Sequence, residues 1–567
     1  MPQYFSPGVY VEEYDNSSRT IEGTGTSVAG FVGFAEKGPT VGAPVLITSY
    51  REFVRVFGRP LSEFEYGEYR YLAPAVEQFF VNGGGTCFVE RAALPDAKRA
   101  SITQGGLTLK AANEGKWGNR IQVTLTSVNK RKMQLVGKNG DAYVAKTIDG
   151  FREGDMVCCN GEYNRVKSIF DNVISFEKPF KNEVVDTALV PKTVVYLAET
   201  DISVRYGEEV ENYRGVSFNT ANPNFIGYRM ANSELVRVSI EMDDKIGNPV
   251  TAILGDKHES GMITLEGGRD GSISKVTAGT FIGEDNGPGK RTGLEAFVEN
   301  QAVSLMLIPG VTMPEVVIAL VGQCERLKDR FAILDMPKDL YKVKDLLEYR
   351  EMIDSTYAAM YHPWVQVFDR SANKPDFIPP SGAVAGVYAR TDATRGVHKA
   401  PANEVVFSSG LSVNYNKSEQ DYLNPAGINL IRTIPGQGIR IWGARTASSN
   451  SNFKYVNVRR LFIFVEESIK ANTNWVVFEP NDTSLWDRVR TTISDFLDGL
   501  WRAGMLAGAS RAEAFFVDIG PDTMTREDIS NGRLICNIGI APSKPAEFVV
   551  FRVTQFTAEA AAAEGGE

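Results

Sequence analysis

The chain has 567 residues, 43% of them hydrophobic and 23% charged, with a formal net charge of −9. That length accommodates about three or four domains, and the composition is that of a globular protein rather than a disordered or fibrous one. The acidic balance argues against nonspecific binding to nucleic acid or an anionic membrane, and no apolar run reaches the ~20 residues needed to span a bilayer.

The cysteines, Cys87, Cys158, Cys159, Cys324 and Cys536, are scattered and odd in number. They suit a reduced compartment better than a disulfide framework. The opening MPQYFSPGVYVEEYDN has no basic stretch followed by an apolar one, so it does not read as a secretory signal.

Residues 1–22 read as an arm. Val9 and Val11 alternate with Tyr10 and Glu12 after a Pro-Gly turn, a short strand with nothing local to pair with. Such a segment is either a frayed end or a strand given to another subunit. From residue 23 to 100 the pattern predicts strand, turn, helix, strand: apolar residues 28–34, a β-like 45–47, a short helix over 50–57, and a helical face of Tyr71, Ala75, Val76, Phe79 and Phe80. The NGGG run at 82–85 follows that helix and precedes a strand, the reverse of a phosphate-cradling loop, so it reads as a C-cap.

Residues 101–200 are mostly β. Short strands separated by turns predict a small barrel or sandwich, and the adjacent Cys158 and Cys159 lack a nearby histidine and read as structural. Between 201 and 300, strands such as 235–241 alternate with polar stretches. The segment GEDNGPGKRTG (283–293) fails as a nucleotide loop: Glu284 stands where the first glycine is needed, and Arg291 follows Gly289-Lys290.

The clearest pattern runs from 303 to 369. Apolar 303–308, amphipathic 313–327, apolar 331–337, helical 341–352 and apolar 358–369 spell β-α-β-α-β, hence a parallel sheet covered by helices. After Pro379-Pro380, Ser381 is placed to cap a helix, and Gly382, Ala383, Ala385, Gly386 and Ala389 let it lie close to a neighbour. Val458, Leu461, Val465 and Ile469 mark another helix. A strongly amphipathic helix covers 483–503, with Trp486, Val489, Ile493, Phe496, Leu497, Leu500 and Trp501 on one face. Strands are expected at 513–518 and 533–541, joined by a polar loop. In 545–556, Val549, Phe551 and Val553 alternate with Val550, Arg552 and Thr554, a strand that either closes its own sheet or is exported. The tail TAEAAAAEGGE is low-complexity.

Several ordered motifs now point one way: SPGVYVEE near the start, AVEQFFVNGGGTCFVERA, PPSGAVAGVYARTDATRGVHKAPAN, RTIPGQGIRIWGARTASS, VNVRRLFIFVEESI and FEPND. Together they resemble the sheath proteins of contractile phage tails and related injection systems. The resemblance implies a multidomain α/β and β protein: a central subtilisin-like α/β domain, an inserted β-sandwich or small barrel, and a C-terminal α+β domain with strand-donating arms. The expected divisions are an arm at 1–22, sheath core at 23–100, a β insertion at 101–200, the central domain at 201–450, the C-terminal domain at 451–556 and a tail at 557–567.

By the same resemblance, Val9, Tyr10, Val11, Val549, Val550, Phe551, Arg552 and Val553 would exchange between subunits. The charged side of the long helix, Asp487, Arg488, Arg490, Asp495, Asp498 and Arg502, would face an inner tube. The implied function is a structural subunit that polymerises as a helical sleeve of hexameric rings around a tail tube and contracts to drive the tube into a target cell. Its partners would be other copies, the tube protein, and baseplate and terminator proteins. It would need no cofactor, metal, nucleic acid or membrane insertion, and would be made in the bacterial cytoplasm and reside in a virion tail or tail-like particle.

The same residues admit two other readings. A subtilisin-like hydrolase would need Ser381 to meet His362 or His398 and an aspartate such as Asp335 or Asp369; a capping serine and ordinary histidines are the simpler account. A tail tube protein is disfavoured because tube subunits are small and mostly β.

Overall fold

Apolar strands buried on both faces read as continuous hydrophobic runs, and the 331–335 run FAILD is of this kind. In the computed structural model of the protein, which describes residues 20–180, 193–241, 246–255, 258–369 and 372–551, these runs build a nine-stranded sheet. Its order is Val45–Ile47, Cys87–Arg91, Ala29–Gly33, Leu305–Leu307, Phe331–Asp335, Ala358–His362, Ile428–Ile434, Gly438–Ile441, Glu404–Val405. The six strands from Cys87–Arg91 to Ile428–Ile434 are parallel, and the outer ones are antiparallel.

The side-chain period of two divides the core. Phe31, Val89, Leu305, Phe331, Ile333 and Tyr361 face the helices Leu72–Val81 and Ser381–Arg395. Val32, Met306, Ala332, Leu334 and Met360 face the helices Pro314–Leu327 and Val343–Arg350. The small residues expected to permit a close approach do so. A Cβ on Gly382 would stand 2.2 Å from the Ala75 carbonyl oxygen, and one on Gly386 2.4 Å from that of Phe79.

The β insertion is a sandwich carrying a barrel. One sheet holds Glu209–Val216, Glu199–Tyr206, Gln122–Val128 and Ser260–Thr264; the other holds Val236–Ile240, Leu107–Ala111 and Ser101–Gln104. Leu107, Leu109, Val123, Leu125, Ile202, Val204 and Val236 form their shared core. Between Gln122–Val128 and Glu199–Tyr206 the chain closes a six-stranded barrel, filled by Met133, Leu135, Val157, Val166, Ile174 and Val195. The two connections to the main body lie side by side, with Lys98 bridged to Arg269. The insertion is also fixed to that body by Lys37 to Glu209 at 2.8 Å and by buried Arg91, whose guanidinium donates to the carbonyls of Ala35, Gly38 and Glu114.

Several expectations need correction. Position 200 falls inside the Glu199–Tyr206 strand, so the β insertion runs on to about residue 269, and the sheath-core block at 23–100 shares one sheet with the strands after 300. The single strand expected at 358–369 is two, Ala358–His362 and Val365–Asp369, in different sheets, because Pro363 offers no ladder donor between them. The polar loop before residue 531 contains a short helix, Arg526–Ser530, closed by a capping box of Thr525 and Asp528. Ser381 is not the N-cap of its helix; Pro380 holds that position. Of the strand expected at 545–556, residues 545–551 form no ladder within the subunit and 552–556 lie outside the described residues.

Candidate intersubunit surfaces

The C-terminal module is built on the Thr483–Arg502 helix, whose first turn is closed by the Asp482 carboxylate accepting from the Leu485 amide at 2.9 Å. Leu485, Trp486, Val489, Ile493, Leu497 and Leu500 are buried, each contributing about 1.5–3 kcal/mol by leaving water. At about 100° per residue, Asp487, Arg488, Asp495, Asp498 and Arg502 fall within a ~100° arc on the opposite side, and Arg490 lies ~60° away. All are exposed except half-buried Asp498. Arg490 pairs with Asp487 at 2.7 Å and also donates to the Ile519 carbonyl; Arg488 meets Glu479 at 3.1 Å, and Arg502 meets Asp498 at 2.8 Å. Asp495 has no ion pair among the described residues.

Against the apolar side of this helix lies a two-stranded antiparallel sheet, Phe515–Ile519 with Cys536–Ile540. Phe515, Val517 and Ile519 point inward, while Phe516, Asp518, Asn537 and Ile538 are exposed. Among the described residues neither strand is continued by a third. Both edges therefore present backbone donors and acceptors to an incoming strand.

The chain then leaves through Ser543, whose hydroxyl donates to the Gly504 carbonyl at 3.1 Å. Four residues later Glu547 is held by Arg445, Tyr455 and Asn424. Burial pushes this carboxyl up, but the bonds from Arg445, Asn424 and Tyr455 together outweigh it and hold the group down at about 2. Immediately beyond, Phe548, Val549, Val550 and Phe551 are 73%, 67%, 78% and 87% exposed, an unburied hydrophobic run. Sequence reasoning missed the Glu547 cluster; its one local signal is a carboxylate inside an otherwise apolar alternating stretch.

At the other end, Ile21 packs on the C-terminal module, and the Thr24 amide donates to Ser468 Oγ at 3.0 Å. The Thr26 hydroxyl donates to Asp392 at 2.6 Å. Val9, Tyr10, Val11, Arg552 and Val553 lie outside the described residues.

The serine considered as a nucleophile is fully buried. Its hydroxyl donates to Asp335 Oδ2 at 2.6 Å, its amide donates to Asp335 Oδ1 at 2.8 Å, and the Gly310 amide donates to the same carboxylate at 3.0 Å. Asp335 thus satisfies the start of the helix from the end of a neighbouring strand. Burial outweighs these bonds and raises its carboxyl to about 6. His362 is spent elsewhere, on the Tyr415 hydroxyl at 2.9 Å, with burial lowering it to about 4. The five cysteines are free. Among the described residues no cluster of His, Cys, Asp or Glu is placed to hold a metal ion, and no helix is long and apolar enough to cross a membrane.

Comparison with known proteins agrees with this geometry. Residues 284–447 match the family model for the phage tail sheath protein central domain, and residues 448–556 match that for the phage tail sheath C-terminal domain. A prophage major tail sheath protein of Pseudomonas aeruginosa (strain UCBPP-PA14) is 31% identical over 294 residues, covering 49% of this chain and 73% of that protein. The tail sheath protein of Enterobacteria phage T4 is 25% identical over 264 residues, covering 42% of this chain and 40% of that longer relative. Among solved structures, the contracted sheath of the extracellular contractile injection system PVC superposes with a TM-score of 0.53 at 21% identity, covering 99% of this chain and 100% of that one. The contracted helical sheath of the anti-feeding prophage gives 0.52 at 21% identity, covering 98% and 100%. With a mixed α/β body, a small barrel and a C-terminal module whose sheet edges stand open, the chain belongs to the tail sheath family of contractile phage tails and injection systems, as a structural subunit of the sheath.

Proposed function

We propose that this chain polymerises as a helical sleeve of stacked hexameric rings around a tail tube and shortens to drive the tube through a target envelope, without catalysis, nucleotide or cofactor. The observation that carries the reading is the run Phe548–Phe551, four consecutive apolar β-forming residues left exposed, on a molecule that also offers a two-stranded sheet with open edges. Val549, Val550, Phe551, Arg552 and Val553 of one copy, with Val9, Tyr10 and Val11 of another, would extend the Phe515–Ile519 and Cys536–Ile540 pair of a third by β-augmentation. Main-chain hydrogen bonds would then keep subunits linked while their bodies move between two discrete packings, whose difference in free energy is the work available.

The arc of Asp487, Arg488, Asp495, Asp498 and Arg502, with Arg490 beside it, would face the tube. The baseplate and a terminator would occupy the two ends. The parallel sheet, with Ser381 at the start of its helix, is read as a subtilisin-like body without catalytic use. Assembly would take place in the bacterial cytoplasm, before the finished tail or tail-like particle acts.

Negative-stain micrographs of the purified chain at rising concentration test the reading. Sleeves of uniform diameter are expected; a protein that stays monomeric with and without tube would end it.

A further inference from the structure

The C-terminal arm does not leave its subunit from the module where its backbone is last tied. Ser543 is bonded to the C-terminal module, through its hydroxyl to the Gly504 carbonyl and its amide to the Met505 carbonyl. The Ser543 carbonyl also accepts from Asn457 Nδ2 at 3.2 Å. The chain then reaches the junction between this module and the central body, where the Glu547 carboxylate meets four donors, three from Arg445 and Asn424 of the central body and one from Tyr455 just before the Val456–Asn472 helix. Its Oε1 accepts from Arg445 Nε at 2.7 Å and Asn424 Nδ2 at 2.8 Å, and its Oε2 accepts from Arg445 Nη2 and the Tyr455 hydroxyl, each at 2.8 Å. Lys454 adds a second cation at 3.5 Å from Oε2.

A bidentate guanidinium–carboxylate pair is both strong and directional, and here the two side chains are only 9% and 18% exposed. The next residue, Phe548, is 73% exposed, so among the described residues Glu547 is the last of the arm held by bonds to the body. Arg445 is itself locked to the last parallel strand of the large sheet. Its amide donates to Asn429 Oδ1 at 2.7 Å, and the Asn429 amide group donates back to the Arg445 carbonyl at 2.8 Å and on to the Met360 carbonyl at 3.2 Å. Asn429 is fully buried on the Ile428–Ile434 strand, beside the Ala358–His362 strand.

We propose that Glu547 is the positioning residue that clamps the outgoing arm to Arg445, so that tension on a donated strand enters the nine-stranded sheet through Arg445 and Asn429 rather than passing first through the two-stranded sheet of the C-terminal module. This rests on the strand-donation reading and adds to it where the load goes. The two ends of each link between subunits then sit on different bodies: the acceptor sheet on one copy's C-terminal module, the anchor on the next copy's central sheet. Motion of the C-terminal module relative to the central body would leave the anchor in place, with residues 543–546 taking up the change.

The test uses the full-length chain with Glu547→Ala, Glu547→Gln and, separately, Val550→Pro. Hydrogen exchange on unassembled protein is expected to rise at least tenfold over 543–548 in the alanine variant and less in the glutamine variant, with the central sheet unchanged. The critical concentration for assembly is expected to rise at least tenfold for alanine, and its polymers to come apart at a urea concentration the parent survives. Unchanged exchange and unchanged critical concentration in both Glu547 variants would overturn the clamp. If the alanine variant fails to fold, the glutamine variant decides: local exchange and assembly moving together support the clamp, and a parent-like result overturns it. Normal sleeves from Val550→Pro would instead sink strand donation itself, whatever Glu547 does.

Discussion

Asp335 shows how a residue that looks catalytic in a sequence can be structural in the fold. Its carboxyl, raised by burial to about 6 from an ordinary 3.8, contributes stability that is fully present below the unfolded value and is lost as pH rises through about 6. The gap corresponds to ~3 kcal/mol between acid and alkaline limits. Asp335→Asn should therefore flatten the decline in thermal stability of the unassembled protein between pH 5 and 8; an unchanged slope would mean another group is responsible. Gly386 offers a second test. A methyl there would stand 2.4 Å from the Phe79 carbonyl oxygen and 2.8 Å from Asn82 Cβ, forcing the two helices apart. Gly386→Ala should cost about 1–3 kcal/mol, typical of overpacking, measured by urea denaturation.

At the scale of elements, the Thr483–Arg502 helix separates its two jobs by face. Reversing Asp495 and Asp498 to Lys removes one ion pair, between half-buried Asp498 and exposed Arg502, and a pair with one partner in solvent contributes on the order of 1 kcal/mol. Folding should be nearly unaffected, while co-assembly with tube should fall, because complementary charge across a repeated interface sets register. Co-assembly equal to the parent's would confine the helix to a packing role. The C-terminal strand belongs to the same scale. Val550→Pro removes a ladder donor, and the exposure of residues 548–551 in the single subunit predicts that the monomer's melting is unchanged while polymerisation is abolished. Strong destabilisation of the monomer would place the strand within its own subunit.

For the whole molecule, the decisive feature is that the β insertion joins the body at two neighbouring connections, Lys98 and Arg269. Replacing residues 99–268 by a short Gly-Ser turn should leave the nine-stranded sheet folded, since its strands lie outside that span. The expected losses include the ion pairs Lys37–Glu209, Arg55–Glu234, Lys116–Glu65 and Arg120–Glu36 and the Arg91 bond to the Glu114 carbonyl, a moderate drop in melting temperature. Sleeves should still form if the insertion is a decoration, and their outer diameter in micrographs should shrink. Loss of assembly with an intact core would make the insertion part of the intersubunit contact.

The sequence by itself determined what local periodicity can carry. Residues 331–335 read as a strand buried on both faces, 483–502 as an amphipathic helix, and Gly382 and Gly386 as sites of close approach, because each pattern reflects one element's own burial. Only the tertiary structure decided pairings between distant segments. It set Ala29–Gly33 between Cys87–Arg91 and Leu305–Leu307, carried the insertion past residue 200, and showed that Ser381 is bonded to Asp335 rather than capping its own helix. It also brought Glu547 to Arg445, 102 positions apart in the chain. Such contacts depend on which surfaces meet once helices and strands have packed, and the residues that make them carry no periodic mark of their own.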